Sequence, residues 1–268
     1  MSYQYSCPLC QSQLHAQEKS LVCVNNHSFD RAKEGYYNLL PVQYKHSKNP
    51  GDNKAMVNAR RAFLDKGYYQ QLVDKMLDIY QNLGNTAGVV FDAGCGEGFY
   101  THQHKTDHNQ VYGIDISKEA IKKAAKRYKA CHFSVGTLSK LPFFEHSIDW
   151  IINVYAPIIE SEYTRVLTSG GYLLTVTPAR NHLHELKQKI YREALQHDDE
   201  KLPIKALPLI EQHQLTYNMD IEQGDDALHL LEMTPFAFKA TQEVKDSLAN
   251  LVNFQCQADF LIRVYKKP

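Results

Sequence analysis

The sequence has no surplus of either charge, with thirty Lys and Arg against thirty Asp and Glu. That excludes a chain held on its partner by bulk basicity and confines any nucleic-acid contact to a local patch. Long apolar runs are missing too. No stretch approaches the roughly 18 consecutive apolar residues of a membrane-spanning helix, and the N-terminus lacks a cationic start followed by an apolar segment. The expectation is a soluble, cytoplasmic protein with no membrane partner. No internal repeat is present, which excludes a repeat architecture. Cysteines are too few and too uneven for a disulfide framework. Cys7, Cys10 and Cys23 lie close together, whereas Cys95, Cys131 and Cys256 are scattered through apolar surroundings and read as small buried hydrophobes.

What is present suffices for one substantial α/β core with a small satellite, since 43% of the residues are hydrophobic. Three regions differ in texture: a Cys-bearing module over 1–35, a basic connector with helices over 36–83, and an α/β domain over 84–268. The module is too poor in apolar residues to build a core of its own and needs a staple. Within the connector, the breaker run Asn49-Pro50-Gly51-Asp52 precedes an apolar pattern over 54–83 that predicts helices interrupted at Gly67.

Beyond it, short apolar runs alternate with helical stretches, the pattern of a mostly parallel sheet covered on both faces. Strands are expected at 89–92, 111–115, 131–135, 148–154 and 172–176, with helices near 99–104, 117–127 and 161–166. The alternation of Phe260, Ile262 and Val264 predicts an antiparallel edge strand over 258–264, and residues 187–249 read as mostly helical.

Cys7-Pro8-Leu9-Cys10, twelve intervening residues, then Cys23 and His27 form two closely spaced ligand pairs separated by a short excursion. Zinc takes four such ligands in a tetrahedron, and four protein ligands leave no open position for water. One structural zinc per chain is expected, with Cys7, Cys10, Cys23 and His27 as ligands. His15 is a weaker candidate because it lacks the pairing offset from Cys23.

Phe91-Asp92-Ala93-Gly94-Cys95-Gly96-Glu97-Gly98 follows an expected strand and opens a helix at Phe99-Tyr100, so three glycines sit where the backbone turns sharply toward a ligand. A nicotinamide dinucleotide is one occupant of such a loop. Asp92 and Glu97 would repel its pyrophosphate but suit a cationic amino acid, and S-adenosylmethionine carries an ammonium and a sulfonium. About twenty residues on, Asp115 ends the second strand, where a carboxylate can accept both ribose hydroxyls.

From Val89 to Thr177 the chain resembles the class I methyltransferases in motif order: the glycine loop, Asp115, then Gly136-Thr137-Leu138 with Leu141-Pro142-Phe143 where such enzymes cradle adenine. Ser147-Ile148-Asp149-Trp150, Asn153-Val154-Tyr155-Ala156-Pro157 and Ser169-Gly170-Gly171-Tyr172 follow. A resemblance over nearly the whole chain rests on Cys-Pro-Leu-Cys, Ala32-Lys33-Glu34-Gly35-Tyr36, Asn38-Leu39-Leu40-Pro41-Val42-Gln43, Ala59-Arg60-Arg61-Ala62-Phe63-Leu64 and Met233-Thr234-Pro235-Phe236. Together these resemble the bacterial 23S ribosomal RNA (guanine-N1-)-methyltransferases.

The resemblance implies a Rossmann-like, mostly parallel seven-stranded sheet with an N-terminal zinc ribbon. It also implies S-adenosylmethionine as methyl donor, a hairpin loop of 23S ribosomal RNA as substrate, and a domain that can pair as a homodimer. It adds Tyr69 and His182 to a cofactor set of Asp92, Gly94, Gly96, Glu97, Gly98, Phe99, Tyr100, Asp115, Thr137 and Leu138.

Guanine N1 lies on the Watson–Crick edge and carries a proton, so the base must be unpaired or flipped, and some group must stabilise its deprotonated form. Asn153, Tyr155 and Pro157, at the carboxyl end of the fourth strand, are the expected target-base residues. Tyr36, Tyr37, Tyr44 and Phe236 are candidate stacking platforms. Arg31, Lys33, Lys45, Lys48, Lys54, Arg60 and Arg61 outnumber the acids around them and could track an RNA backbone, beside a zinc module over 1–35 that is expected to serve RNA recognition. Two other readings remain open, a small-molecule methyltransferase acting on a quinone or metabolite and a non-catalytic zinc-ribbon RNA-binding protein.

Overall fold

The structure is a computed structural model and describes residues 4–44, 50–84, 86–191 and 204–268. Its N-terminal part is a three-stranded antiparallel meander of β1 (His15–Gln17), β2 (Ser20–Val22) and β3 (Ser28–Asp30). The connector contributes β4 (Tyr37–Asn38) and then two helices, α1 (Lys54–Asp65) and α2 (Gln70–Asn82). Asn53 starts α1 by accepting a hydrogen bond from the Met56 N–H at 3.0 Å. Gly67, with φ of 81°, breaks the pair where the periodicity breaks.

The domain that follows alternates as expected: β5 (Val89–Ala93), α3 (Phe99–Gln103), β6 (Gln110–Asp115), α4 (Lys118–Arg127), β7 (His132–Val135), β8 (Ile148–Val154), α5 (Glu160–Val166) and β9 (Leu167–Pro178). After them come α6 (His184–Ile190), β10 (Leu209–Gln223), α7 (Gly224–Glu232), α8 (Gln242–Ala249) and β11 (Val252–Lys266). One sheet carries the order β10-β11-β9-β8-β5-β6-β7-β4. Strands β4 through β9 run parallel within it, while β11 is antiparallel to both β9 and β10. This is the Rossmann-like α/β sheet expected, seven strands from the domain itself plus an eighth of two residues supplied by the connector. Phe91, Ile151 and Ile152 are wholly buried, as strands sandwiched between two helical layers must be.

Two expectations need correction. The stretch 187–249 is not mostly helical, because it contains the fifteen-residue strand β10, in which Leu215, Tyr217, Met219 and Ile221 alternate with Thr216, Asn218 and Asp220. That period-two signal belongs to a half-exposed strand, not to a helix. Nor is β11 an edge strand; it lies between β9 and β10, so Phe260, Ile262 and Val264 are buried and the edge falls to β10.

The ribbon is not a free appendage. Tyr5 bridges to Phe143, Ser6 donates its N–H to the Pro142 carbonyl at 2.9 Å, and the Tyr5 ring packs edge-on to Tyr112 at 5.1 Å. Tyr36 and Tyr37, expected as stacking platforms, are each 5% exposed and spend their rings on the core. No described helix is long and apolar enough to cross a membrane.

Candidate functional site

In the ribbon, two tight turns present the four ligands. Gln11 closes the first by donating its N–H to the Cys7 carbonyl, and Asn26, at φ of 60°, shapes the second between Cys23 and His27. The three thiols and one imidazole nitrogen converge with all ligand atoms within 4.8 Å of one another. Cys10 Sγ to Cys23 Sγ is 3.6 Å, and His27 Nδ1 lies 3.5 Å from Cys7 Sγ and 3.4 Å from Cys23 Sγ. A tetrahedron with zinc–sulfur bonds of about 2.3 Å has edges of about 3.8 Å, slightly shorter toward nitrogen. The donor set and its spacing therefore fit zinc, and Cys7, Cys10, Cys23 and His27 are the only such cluster among the described residues. His15 is exposed on β1 and stands outside it.

The second site lies where the strand order reverses between β5 and β8, the crevice in which doubly wound sheets place their ligands. A cavity of about 700 Å³ opens there, within the usual range for small-molecule sites. Tyr69, Asp92, Gly94, Gly96, Glu97, Phe99, Tyr100, Asp115, Thr137, Leu138 and His182 all line it, as do Tyr155 and Pro157. Gly94 has φ of 74°, and a Cβ on it would come within 2.5 Å of the Ala156 Cβ, so only glycine lets the two loops meet. Gly98 does not line the cavity; with φ of 85° it starts α3, and a Cβ there would press on Ala124 and Phe133 at 3.0 Å. Asn153 is likewise outside it, 1% exposed, with its amide donating to the Tyr163 hydroxyl at 2.8 Å and the Pro157 carbonyl at 3.4 Å. It holds the shape of the loop that carries Tyr155 and Pro157.

Among the charged side chains that line this cavity, the carboxyl groups of Asp52, Asp92, Glu97 and Asp115 face the single guanidinium of Arg60. Asp92 accepts from the Thr101 hydroxyl at 2.6 Å, and burial nevertheless pushes its pKa up to about 7. Glu97 is 2% exposed, neither of its oxygens accepts a hydrogen bond, and burial raises it to about 7 despite the field of Arg127 and Arg61. Asp115 accepts N–H groups from Gly96 at 2.9 Å and Ser117 at 2.7 Å, and burial raises its pKa as well. An unsatisfied buried carboxylate costs stability unless a ligand supplies the partner. The donor set fits a ligand that is cationic at one end and offers hydroxyls at the other, which S-adenosylmethionine does and a pyrophosphate does not.

Several lining residues escape a reading of single motifs. Met56, Arg60 and Leu64 come from α1, and Met233 to Phe236 from the turn after α7. Arg60 pairs with Asp52 and donates to the Met233 carbonyl at 3.1 Å, tying the connector to the C-terminal half across the cavity. It is therefore engaged at this site, and Arg61 lies 3.8 Å from Asp65. Arg31, Lys33 and Lys54 are exposed, whereas Lys45 and Lys48 lie outside the described residues. Phe236 reaches the cavity, while Tyr44 lies under the Lys140 ammonium at 5.9 Å.

Two family models match the chain: one described as a methyltransferase domain covers residues 85–234, and one described as the RlmA N-terminal zinc ribbon covers 5–48. Fold, cavity and match together define a class I S-adenosylmethionine-dependent methyltransferase. A Bacillus subtilis protein provisionally named a 23S rRNA (guanine-N(1)-)-methyltransferase is 28% identical over 89% of this chain and 88% of its own length. The Streptomyces fradiae 23S rRNA (guanine(748)-N(1))-methyltransferase is 33% identical over 67% of this chain and 65% of its own, and a provisionally named Micromonospora griseorubida counterpart is 32% identical over 69% and 68%. The chain belongs to the RlmA-like family of these methyltransferases, which join an N-terminal zinc ribbon to a class I domain.

Proposed function

We propose that this protein methylates N1 of an unpaired guanine in a hairpin loop of 23S ribosomal RNA. The observation that carries the reading is the pairing, in one chain, of a four-ligand zinc ribbon with a carboxylate-lined cavity. Relatives that match over two thirds of this chain or more are named for methylation of guanine N1 in 23S rRNA, two of them provisionally.

When bound, S-adenosylmethionine supplies a methyl group on a positively charged sulfur. The protein's task is then alignment and exclusion of water, because an in-line displacement demands a narrow range of approach. Tyr155 and Pro157 edge the cavity beside the glycine loop, where a flipped base would meet the methyl group. Phe236 also lines the cavity, and base stacking on such a ring contributes about 1–3 kcal/mol.

The test is transfer of labelled methyl groups from S-adenosylmethionine to unmodified 23S ribosomal RNA, with the base located by reverse-transcription stops. A single stop at an unpaired guanine is the expected result. Label that appears only in small metabolites, and never in RNA, contradicts it.

A further inference from the structure

We propose that Tyr155 donates a hydrogen bond to O6 of the target guanine, the carbonyl beside the methylated nitrogen, and that His182 fixes the direction of that donation. The inference rests on the proposed guanine substrate for the identity of the acceptor, but the donor chain is written in the protein alone.

His182 is 5% exposed and both of its ring nitrogens are engaged. Its Nδ1 faces the Asp259 backbone N–H at 3.1 Å. A backbone N–H can only donate, so Nδ1 must carry the lone pair, and the proton of the neutral ring sits on Nε2. Nε2 faces the Tyr155 hydroxyl at 3.1 Å and the Tyr69 hydroxyl at the longer distance of 3.5 Å. The Tyr155 oxygen thus accepts from Nε2–H, and its own proton is left to point elsewhere. Tyr155 is 44% exposed and lines the cavity, so that proton is available to a ligand there.

The surroundings hold this chain rigidly. Ala179 and Leu183 donate their N–H groups to the Asp259 and Gln257 carbonyls, both at 2.9 Å, and Asn181 donates to the Asp259 carboxylate at 3.0 Å. The His182 loop is therefore laced to β11. Tyr155 itself has φ of 59°, a left-handed conformation that a bulky residue adopts only under constraint, and Phe260 packs under the His182 ring at 4.8 Å. A donor preorganised in this way is worth most where charge develops. Loss of the N1 proton to water leaves a negative charge shared between N1 and O6, which the Tyr155 O–H stabilises while keeping its own proton. The N1 electron pair then takes the methyl group as the carbon–sulfur bond breaks with its electrons remaining on sulfur.

Two readouts test the proposal. Nitrogen-15 spectra of histidine-labelled protein, with no RNA present, should show His182 protonated on Nε2; a proton on Nδ1 overturns the chain whatever the substrate. With a 23S hairpin transcript, Tyr155→Phe should lower kcat about 100-fold, with S-adenosylhomocysteine affinity by calorimetry unchanged. That loss should shrink when 6-thioguanosine, a poorer acceptor, replaces the target. His182→Phe, which has no donor, should lose a similar factor, and combining the two should add little, as for residues acting in series. A Tyr155→Phe protein within about threefold of wild type overturns the donor role. If wild type itself leaves guanine N1 unmethylated, the proposed substrate fails and the O6 assignment falls with it, while the tautomer measurement still reports on the protein.

Discussion

The zinc ribbon takes its four ligands from one stretch that begins at Cys7 and ends at His27, whereas the cavity takes its walls from residues as far apart as Gly51 and Phe236. The ribbon is shaped by turns and by a metal; the cavity is shaped by a packed sheet and by the loops that leave it. One is a local device whose stability is the stability of its ligand bonds. The other is a long-range assembly whose acidic floor remains in place because the strands beneath it are buried on both sides. They touch through Tyr5, Tyr112 and Phe143, so the ribbon leans on the sheet without contributing to the cavity lining.

The largest effect should come from the metal. Replacing Cys10 or Cys23 by Ser removes one ligand of a site whose zinc affinity is about 10–16 kcal/mol in free-standing ribbons. Metal analysis should show loss of about one zinc per chain, and proteolysis should cut first within residues 5–35. Affinity for S-adenosylhomocysteine should remain near wild type, and a loss of cofactor binding in parallel with zinc would erase the distinction between the two regions.

Next in size is the cavity's own anchor. Asp115→Ala removes a cavity carboxylate that we propose accepts the ribose hydroxyls, at about 2–3 kcal/mol for a charge-assisted contact. Calorimetry should show a fall in affinity of about 30- to 150-fold, with zinc content untouched. An unchanged affinity takes Asp115 out of the site.

Acidity separates the two regions in a different way. Burial raises Asp92 from 3.8 to about 7 and Glu97 from 4.5 to about 7, so both hold a proton in the fold at pH values where the unfolded chain has released it. Folding then takes up protons, and stability is greatest below the unfolded pKa values and declines as pH rises toward 7. The melting temperature of the cofactor-free protein should fall by several degrees between pH 5 and pH 8. Bound S-adenosylmethionine, which brings a positive charge to these acids, should flatten that slope. A cofactor-free protein that gains stability over this interval would mean the two carboxyls are solvated.

The smallest effect concerns Asn153. Asn153→Ala leaves the buried Tyr163 hydroxyl without its nearest donor and should lower stability by about 1–2 kcal/mol. S-adenosylhomocysteine affinity should change little, because Asn153 supports the loop from behind.

These contrasts also explain what could be read from the chain. The ligands of the ribbon were legible because zinc chemistry imposes short, fixed spacings. The glycine loop and Asp115 were legible because a strand, a turn and a helix follow one another without interruption. Arg60 and Leu64 were legible only as members of a recurring string, since a helix in the connector gives no sign that it will close a cavity beside a loop near Met233. Strand β10 was missed because two of its inward positions carry the polar residues Glu211 and His213, so the alternation shows over only part of its length. Arg60 read as part of a basic track, and its partner Asp52 lies too close to Gly51 and Pro50 for sequence alone to reveal the pairing.

The measurement that bears most directly on the division between ribbon and cavity is methyl transfer to a 23S hairpin transcript by the intact protein and by the same protein stripped of zinc with a chelator, with S-adenosylhomocysteine affinity recorded in parallel. The stripped protein should bind the cofactor analogue as before and lose transfer to RNA, and restoring zinc should restore transfer. Equal transfer by both forms would contradict an RNA-directed role for the ribbon and leave recognition of the substrate to the methyltransferase domain alone.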